Sequence, residues 1–151
     1  MMGTALSDAE RSDWDDEGCE RLPSLEGLQV LVVDDADEAR EAIRAVLEES
    51  GASVIAVASA QEALSALSRR TPDVLVSDIA MPGMDGHQLI RQVRALTPER
   101  GGGTPAAALT AYASTADRTR ALLAGYQLYL SKPFEPVELV QLVATLAGRT
   151  G

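Results

Sequence analysis

From residue 28 onward the chain alternates short apolar runs with longer stretches whose apolar residues recur at helical spacing. Gln29–Val33 (QVLVV) reads as a strand. Ala39, Ile43, Val46 and Leu47 then share one face of a helix that Gly51 ends. Ser53–Val57 is a second strand. Ser59 with Glu62 has the pattern of a capping box, opening a helix with Ala60, Ala63, Leu64 and Leu67 inward that Pro72 stops. Residues 73–77 form a third strand, followed from Gly86 by a third helix with Leu89, Ile90, Val93 and Leu96 on one face, ending near Pro98. The GGG run at 101–103 reads as a flexible surface loop, and 105–109 (PAAAL) as a fourth strand of small residues. Ser114 with Asp117 caps a fourth helix that ends at Gly125, and 127–130 is a fifth strand. Glu135 and Pro136 fit the N-cap and first position of a last helix, with Leu139, Leu142, Val143 and Leu146 inward.

Five strand–helix units in succession predict an α/β fold. Near-continuously apolar strands separated by helices imply a parallel sheet covered on both faces. Right-handed crossovers wind such a sheet doubly, and its site then lies past the carboxyl ends of the strands. Those ends carry Asp34 and Asp35 after strand one, Ser59 after strand two, Asp78 after strand three, Thr110 after strand four, and Lys132 with Pro133 after strand five. Three acids, a hydroxyl and an ammonium therefore converge on one edge.

Composition narrows the class. With 151 residues and 46% hydrophobic positions the chain fits one domain with a sizeable core. No apolar run is long enough for a membrane span, and the acidic start has no apolar signal core, so a soluble cytoplasmic protein is expected, membrane-associated only through a parent chain. A lone Cys19 excludes a disulfide framework. The net charge of −10 is uneven: residues 1–27 hold eight acids and two arginines, against fifteen acids and eleven bases in 28–151. Such an excess repels a polyanion, so direct nucleic-acid binding is not expected. Residues 1–27 read as an acidic flexible tail or linker, 28–147 as the folded domain and 148–151 as a short C-terminal tail.

The strand-end cluster has its own chemistry. Neighbouring carboxylates repel, and a divalent cation relieves that repulsion; oxygen donors suit Mg²⁺. A cation pair around a shielded carboxylate suits an incoming phosphoryl group, and a carboxylate can itself be the nucleophile. Taken singly, each residue has a plainer reading: Asp after a strand is usually a turn or cap residue, and a lone Lys a solvated charge. Their conjunction favours chemistry. Lys132 is moreover the only lysine, in a chain that otherwise takes its positive charge from arginine.

The motifs VLVVDD (30–35), SDIAMPGMDG (77–86), LTAYA (109–113) and LSKPF (130–134), in this order and at these intervals, resemble the receiver domains of two-component response regulators. The resemblance covers about residues 28–147. It implies a flavodoxin-like sheet of order 2-1-3-4-5, with Asp78 as phosphoacceptor for a phosphoryl group from a sensor histidine kinase or histidine phosphotransfer protein. By the same resemblance Asp35 is a direct ligand of Mg²⁺ (or Mn²⁺), Asp34 holds it through water, and Asp78 and the main-chain carbonyl of Ala80 complete the set. Lys132 pairs with Asp78 and then with the phosphoryl group, Thr110 bonds a phosphoryl oxygen, and Tyr129 is the switch aromatic. Ala111 is the small residue beside the phosphate, and Lys132–Pro133 is a cis bond. Ala80 and Tyr112 stand where the family tunes hydrolysis; neither carries an acid or amide, so slow autodephosphorylation is expected. Phosphorylation would then switch the face of helix four, strand five and helix five, which also allows a homodimer.

Three other readings compete. An aspartyl-nucleophile phosphohydrolase needs a second acid two residues past the nucleophile, where this chain has Ala80. A nucleotide-binding domain needs a glycine-rich phosphate loop that is absent. An inert interaction module would not keep Asp34, Asp35, Asp78, Thr110 and Lys132 together. The chain is thus expected to act on itself only, not as an enzyme on other substrates, either as a free regulator or, as LEGLQVLVVDD and GGGTPAAALTAYA resemble, as the receiver of a hybrid kinase. His87 reads as a surface or cap histidine, Met81 and Met84 as gap fillers, and Val137 and Val140 as apolar positions of the last helix outside its buried face.

Overall fold

The computed structural model describes residues 22–111 and 114–149. Five parallel strands form one sheet: β1 (Gln29–Val33), β2 (Ser53–Val57), β3 (Val74–Asp78), β4 (Ala106–Thr110) and β5 (Leu128–Ser131), in the order β2-β1-β3-β4-β5. The helices between and after them are α1 (Asp37–Glu49), α2 (Ala60–Arg69), α3 (Gly86–Arg94), α4 (Thr115–Ala124) and α5 (Pro136–Leu146). This is the doubly wound fold that the alternation of periods predicts. Strand alternation sends Val30, Val32, Val74, Val76, Ala107 and Leu109 to the layer of α1 and α5. Leu31, Val33, Leu75, Ala106 and Ala108 face the layer of α2, α3 and α4. Every residue of β3 and β4 is buried, as expected of central parallel strands.

Helix starts follow their caps. Ser59 accepts from the Glu62 N–H, but the Glu62 carboxylate takes the N–H of Ala58 rather than of Ser59, so the expected reciprocal box closes one residue early. Asp85 and Gln88 form a reciprocal box at α3, and at α5 the Glu138 carboxylate accepts the Glu135 N–H at 2.8 Å. No described helix is long and apolar enough to cross a membrane.

Three expectations need correction. The packed body begins before residue 28: Leu25 is fully buried, its N–H donates to Ser50 O at 2.8 Å, and Arg149 donates to the carbonyls of Ser24 and Glu26. The GGG run is not a loose loop. Gly101 is buried with φ 105°, and a Cβ on Gly102 would lie 2.0 Å from the Leu96 carbonyl oxygen. The Arg94 guanidinium holds this turn, donating to Gly102 O and Thr104 O, and also to Gly125 O and the Gln127 side chain. Finally, Val140 is buried, so only Val137 of the pair stays exposed on α5. The Leu25 contact comes from Ser50, at the end of α1, whereas the GGG turn is held from only eight residues before Gly102.

Candidate functional site

The winding order sets the site. β1 and β3 are neighbours and β4 follows β3, so the residues closing these strands meet at the carboxyl edge. Asp78 is the last residue of β3 and is 6% exposed; Asp34 follows β1 and is fully buried, while Asp35 is exposed. Carboxylate oxygens of Asp34, Asp35 and Asp78 lie within 4.8 Å of one another, the one such acidic group among the described residues. Lys132 enters from the end of β5. Its Nζ is 3.2 Å from Asp34 Oδ2 and 3.6 Å from Asp78 Oδ1. The expected Lys132–Asp78 pair is present, and the shorter contact goes to Asp34.

The two adjacent acids are not equivalent. Asp34 uses Oδ1 to accept the Ala36 N–H at 2.9 Å and Oδ2 to accept from Lys132, so both its oxygens are engaged within the protein. Asp35, exposed beside it, keeps its carboxylate toward the open side of the cluster. Burial pushes the Asp78 carboxyl above the ordinary range. Lys132 opposes this, Asp34 adds to it, a hydrogen bond from the Ala80 backbone opposes it, and Asp35 adds to it.

Thr110, 3% exposed, ends β4, and its carbonyl accepts the Lys132 N–H at 2.8 Å. The Lys132–Pro133 peptide is cis. Ala111 is exposed beside the site, and Tyr112 lies outside the described residues. Tyr129 on β5 is half-buried, with the Arg118 guanidinium 5.3 Å from its ring centroid. Thr110 and Tyr129 line one cleft of about 610 Å³ with Ala80, Met81, His87 and Arg120. His87 is thus no simple surface residue. It is half-buried in this cleft, and its Nε2 has no hydrogen-bond partner among the described residues. Burial lowers its imidazole below the usual value, against the pull of Asp85. Met81 fills a core gap between strands and helices, as expected.

Two residues that sequence reasoning passed over support the site. Tyr126, 3% exposed, donates its hydroxyl to Gly86 O at 2.7 Å, and Gly86 cannot carry a side chain because a Cβ would stand 2.6 Å from Asp78 O. Arg94 clamps the same α4–β5 corner from the other end of α3.

A second hollow adjoins the site. Ala39, Ala42, Ile43 and Val46 of α1 face Pro133 and Phe134 across an apolar groove of about 500 Å³ that reaches Lys132.

Known proteins share this arrangement. Residues 30–144 match the family described as the response regulator receiver domain. An uncharacterized 14.6 kDa protein of Leptolyngbya boryana is 48% identical over 122 residues, covering 81% of this chain and 92% of that one. Response regulator Rre1 of Synechocystis is 38% identical over 125 residues, covering 82% of this chain, which spans 53% of that protein. The crystal structure of the receiver domain of a sensor histidine kinase from Pseudomonas aeruginosa, with a magnesium ion coordinated in its active-site cleft, superposes with a TM-score of 0.74. It is 34% identical, and the match covers 81% of this chain and 98% of that one. With its strand order, its strand-end acids and lysine, and a family match across most of its length, the chain belongs to the response regulator receiver domains of two-component signalling.

Proposed function

We propose that Asp78 accepts a phosphoryl group from a phosphohistidine on a sensor histidine kinase or phosphotransfer protein in the cytoplasm. The observation that carries this reading is the placement of one nearly buried carboxylate, Asp78, 3.6 Å from the ammonium of Lys132 at the edge where two more carboxylates gather. An Asp78 oxygen forms the new P–O bond as the P–N bond of the phosphohistidine breaks, its electron pair returning to the imidazole. Lys132, already between two carboxylates, is placed to follow the negative charge as it moves onto the phosphoryl oxygens. The chain acts on its own carboxylate, so the reaction is that of a signalling domain rather than of an enzyme with a separate substrate.

The residues present fit a hard divalent cation: the donors are all oxygens, and three carboxylates this close are mutually repulsive without one. Asp35, Asp78 and the Ala80 carbonyl would hold Mg²⁺ (or Mn²⁺), with Asp34, whose oxygens are engaged elsewhere, acting through water. The ion would supply charge neutralisation at the phosphoryl oxygens. Thr110 and Tyr129 share a cleft, which supports a coupled switch: Thr110 turns toward the phosphoryl group and Tyr129 turns inward, altering the face of α4, β5 and α5. That face carries exposed Leu122, Leu123 and Val137, and a homodimer would use it.

The phosphorylating protein docks in the apolar groove of α1 and Phe134, because a donor histidine must reach Asp78 and this groove ends at Lys132. A relative of nearly this length is similar in sequence and a sensor kinase's receiver is similar in fold, which supports a role as a free regulator or within a hybrid kinase. The test is labelling by acetyl phosphate with Mg²⁺: wild type becomes labelled and Asp78→Ala does not. Undiminished label on the alanine variant would move the acceptor elsewhere.

A further inference from the structure

Tyr126 has no part in the reaction just described, yet it is one of the most buried polar side chains near it. It is 3% exposed in the layer of α2, α3 and α4, on the short turn between α4 and β5. Its hydroxyl donates to the Gly86 carbonyl at 2.7 Å, across forty residues of chain. Ser77, fully buried just before the acceptor, donates its own hydroxyl to the carbonyl oxygen of Asp78 at 2.9 Å. Gly86 closes the ring from the other side. Its N–H donates to Ile79 O at 2.9 Å, and its α-carbon packs so closely that a Cβ would meet Asp78 O at 2.6 Å and the Ile79 α-carbon at 2.8 Å.

The phenol therefore holds the helix start that is folded against the Asp78–Ile79 peptide, while Ser77 bonds that peptide from the strand. The acceptor's main chain is fixed through Tyr126 to the α4–β5 turn. We infer that Tyr126 is a positioning residue for phosphorylation, holding the Asp78 peptide through Gly86 so that the carboxylate meets the phosphoryl donor in line. This rests on the reading of Asp78 as phosphoacceptor. Without the hydroxyl, the Gly86 carbonyl loses a buried partner and the turn around Asp78 loosens. A small misplacement of a reacting group is costly in rate, whereas the outer docking surface for the donor is untouched.

The test uses the full chain with Mg²⁺ and acetyl phosphate, comparing wild type with Tyr126→Phe, Ser77→Ala and the double variant. Phenylalanine keeps the ring and its packing. The saturating labelling rate of Tyr126→Phe falls about five- to tenfold, while the half-saturating donor concentration stays within about twofold. The double variant is no slower than the slower single one, because both hydroxyls hold the one Asp78–Ile79 peptide. Exchange of the Gly86 amide with solvent deuterium quickens in Tyr126→Phe, while amides of β1 keep their rates. A purely structural tyrosine would lower the melting temperature and leave the rate well below it unchanged; that result, with wild type labelled normally, overturns the positioning role alone. Absence of label on wild type overturns the phosphoacceptor reading and this inference with it.

Discussion

Replacing Asp78 by Asn should make the metal-free protein more stable. The side chain keeps its shape and an oxygen facing Lys132, but loses its charge. Lys132 Nζ stands 3.6 Å from Asp78 Oδ1, and the carboxylate oxygens of Asp34 and Asp35 lie within 4.8 Å. At an effective dielectric of about 20, the first separation gives about 4.6 kcal/mol of attraction and the second about 3.5 kcal/mol of repulsion per pair. The lysine thus offsets one acid and part of the other, and burial of a 6% exposed carboxylate adds a further cost in the same direction. Asp35 is exposed and partly screened, so the net gain on neutralising Asp78 is about 1–3 kcal/mol, or about 4–10 °C in melting temperature.

The pH dependence has a definite sign. Burial raises the folded carboxyl above its ordinary value of 3.8, so the native state binds its proton more tightly than the unfolded chain does. Stability from this group is complete below pH 3.8 and is lost as pH rises through the raised native value. Thermal melts in a chelator should therefore show the Asn variant above wild type at neutral pH, with the gap closing toward pH 4 as both forms become uncharged. Added Mg²⁺ should raise wild type more than the variant. An Asn variant that melts at or below wild type in chelator at neutral pH would refute this balance of charges.

Three further outcomes follow from named contacts. Lys132→Arg keeps the charge but not the compact ammonium between Asp34 and Asp78, and acetyl phosphate labelling should fall about 100-fold or more, as it should for Lys132→Gln; near-normal labelling by the arginine would show that charge alone suffices. Arg94→Met strips hydrogen bonds from the carbonyls of Gly102, Thr104 and Gly125, and chemical denaturation should show a loss of about 2–4 kcal/mol, with less than about 0.5 kcal/mol contradicting the clamp. Ala42→Glu puts a charge into the groove of α1 and Phe134, so transfer from a phosphorylated histidine protein should slow about tenfold while acetyl phosphate labelling stays within about twofold; equal slowing of both would place the donor elsewhere.

What the sequence reveals about this domain, and what it hides, divides along sequence distance. β1, β3 and the inward faces of α1 and α5 follow from local period alone, and the meeting of Asp34, Asp78, Thr110 and Lys132 follows from the winding of the sheet. The inequality of Asp34 and Asp35 does not, because it depends on Lys132 arriving 98 residues later to engage the first of them. The GGG turn is an exception to distance: the guanidinium that fixes it is only eight residues away, and what the sequence hides is where that side chain reaches. Tyr126 looks ordinary in a row of apolar residues until Gly86, 40 residues before it, offers the carbonyl that it binds. The same holds for Leu25, whose burial depends on the end of α1 at Ser50.

The weak footing of α4 has a consequence for how signals are read. Only Ala121 and Ala124 of this helix are buried, and Leu123 is 82% exposed, whereas the turn after it is bolted to α3 through Tyr126 and Arg94. Two methyl groups hold the helix body with about 2 kcal/mol of burial, a sum that one new charge-assisted hydrogen bond can rival. Alanines also slide without leaving a hole or wedging a rotamer. The helix is thus a pointer on a fixed pivot: its far end can change place at little cost, and a partner that grips the exposed leucines would sense a single covalent event without the sheet beneath having to yield.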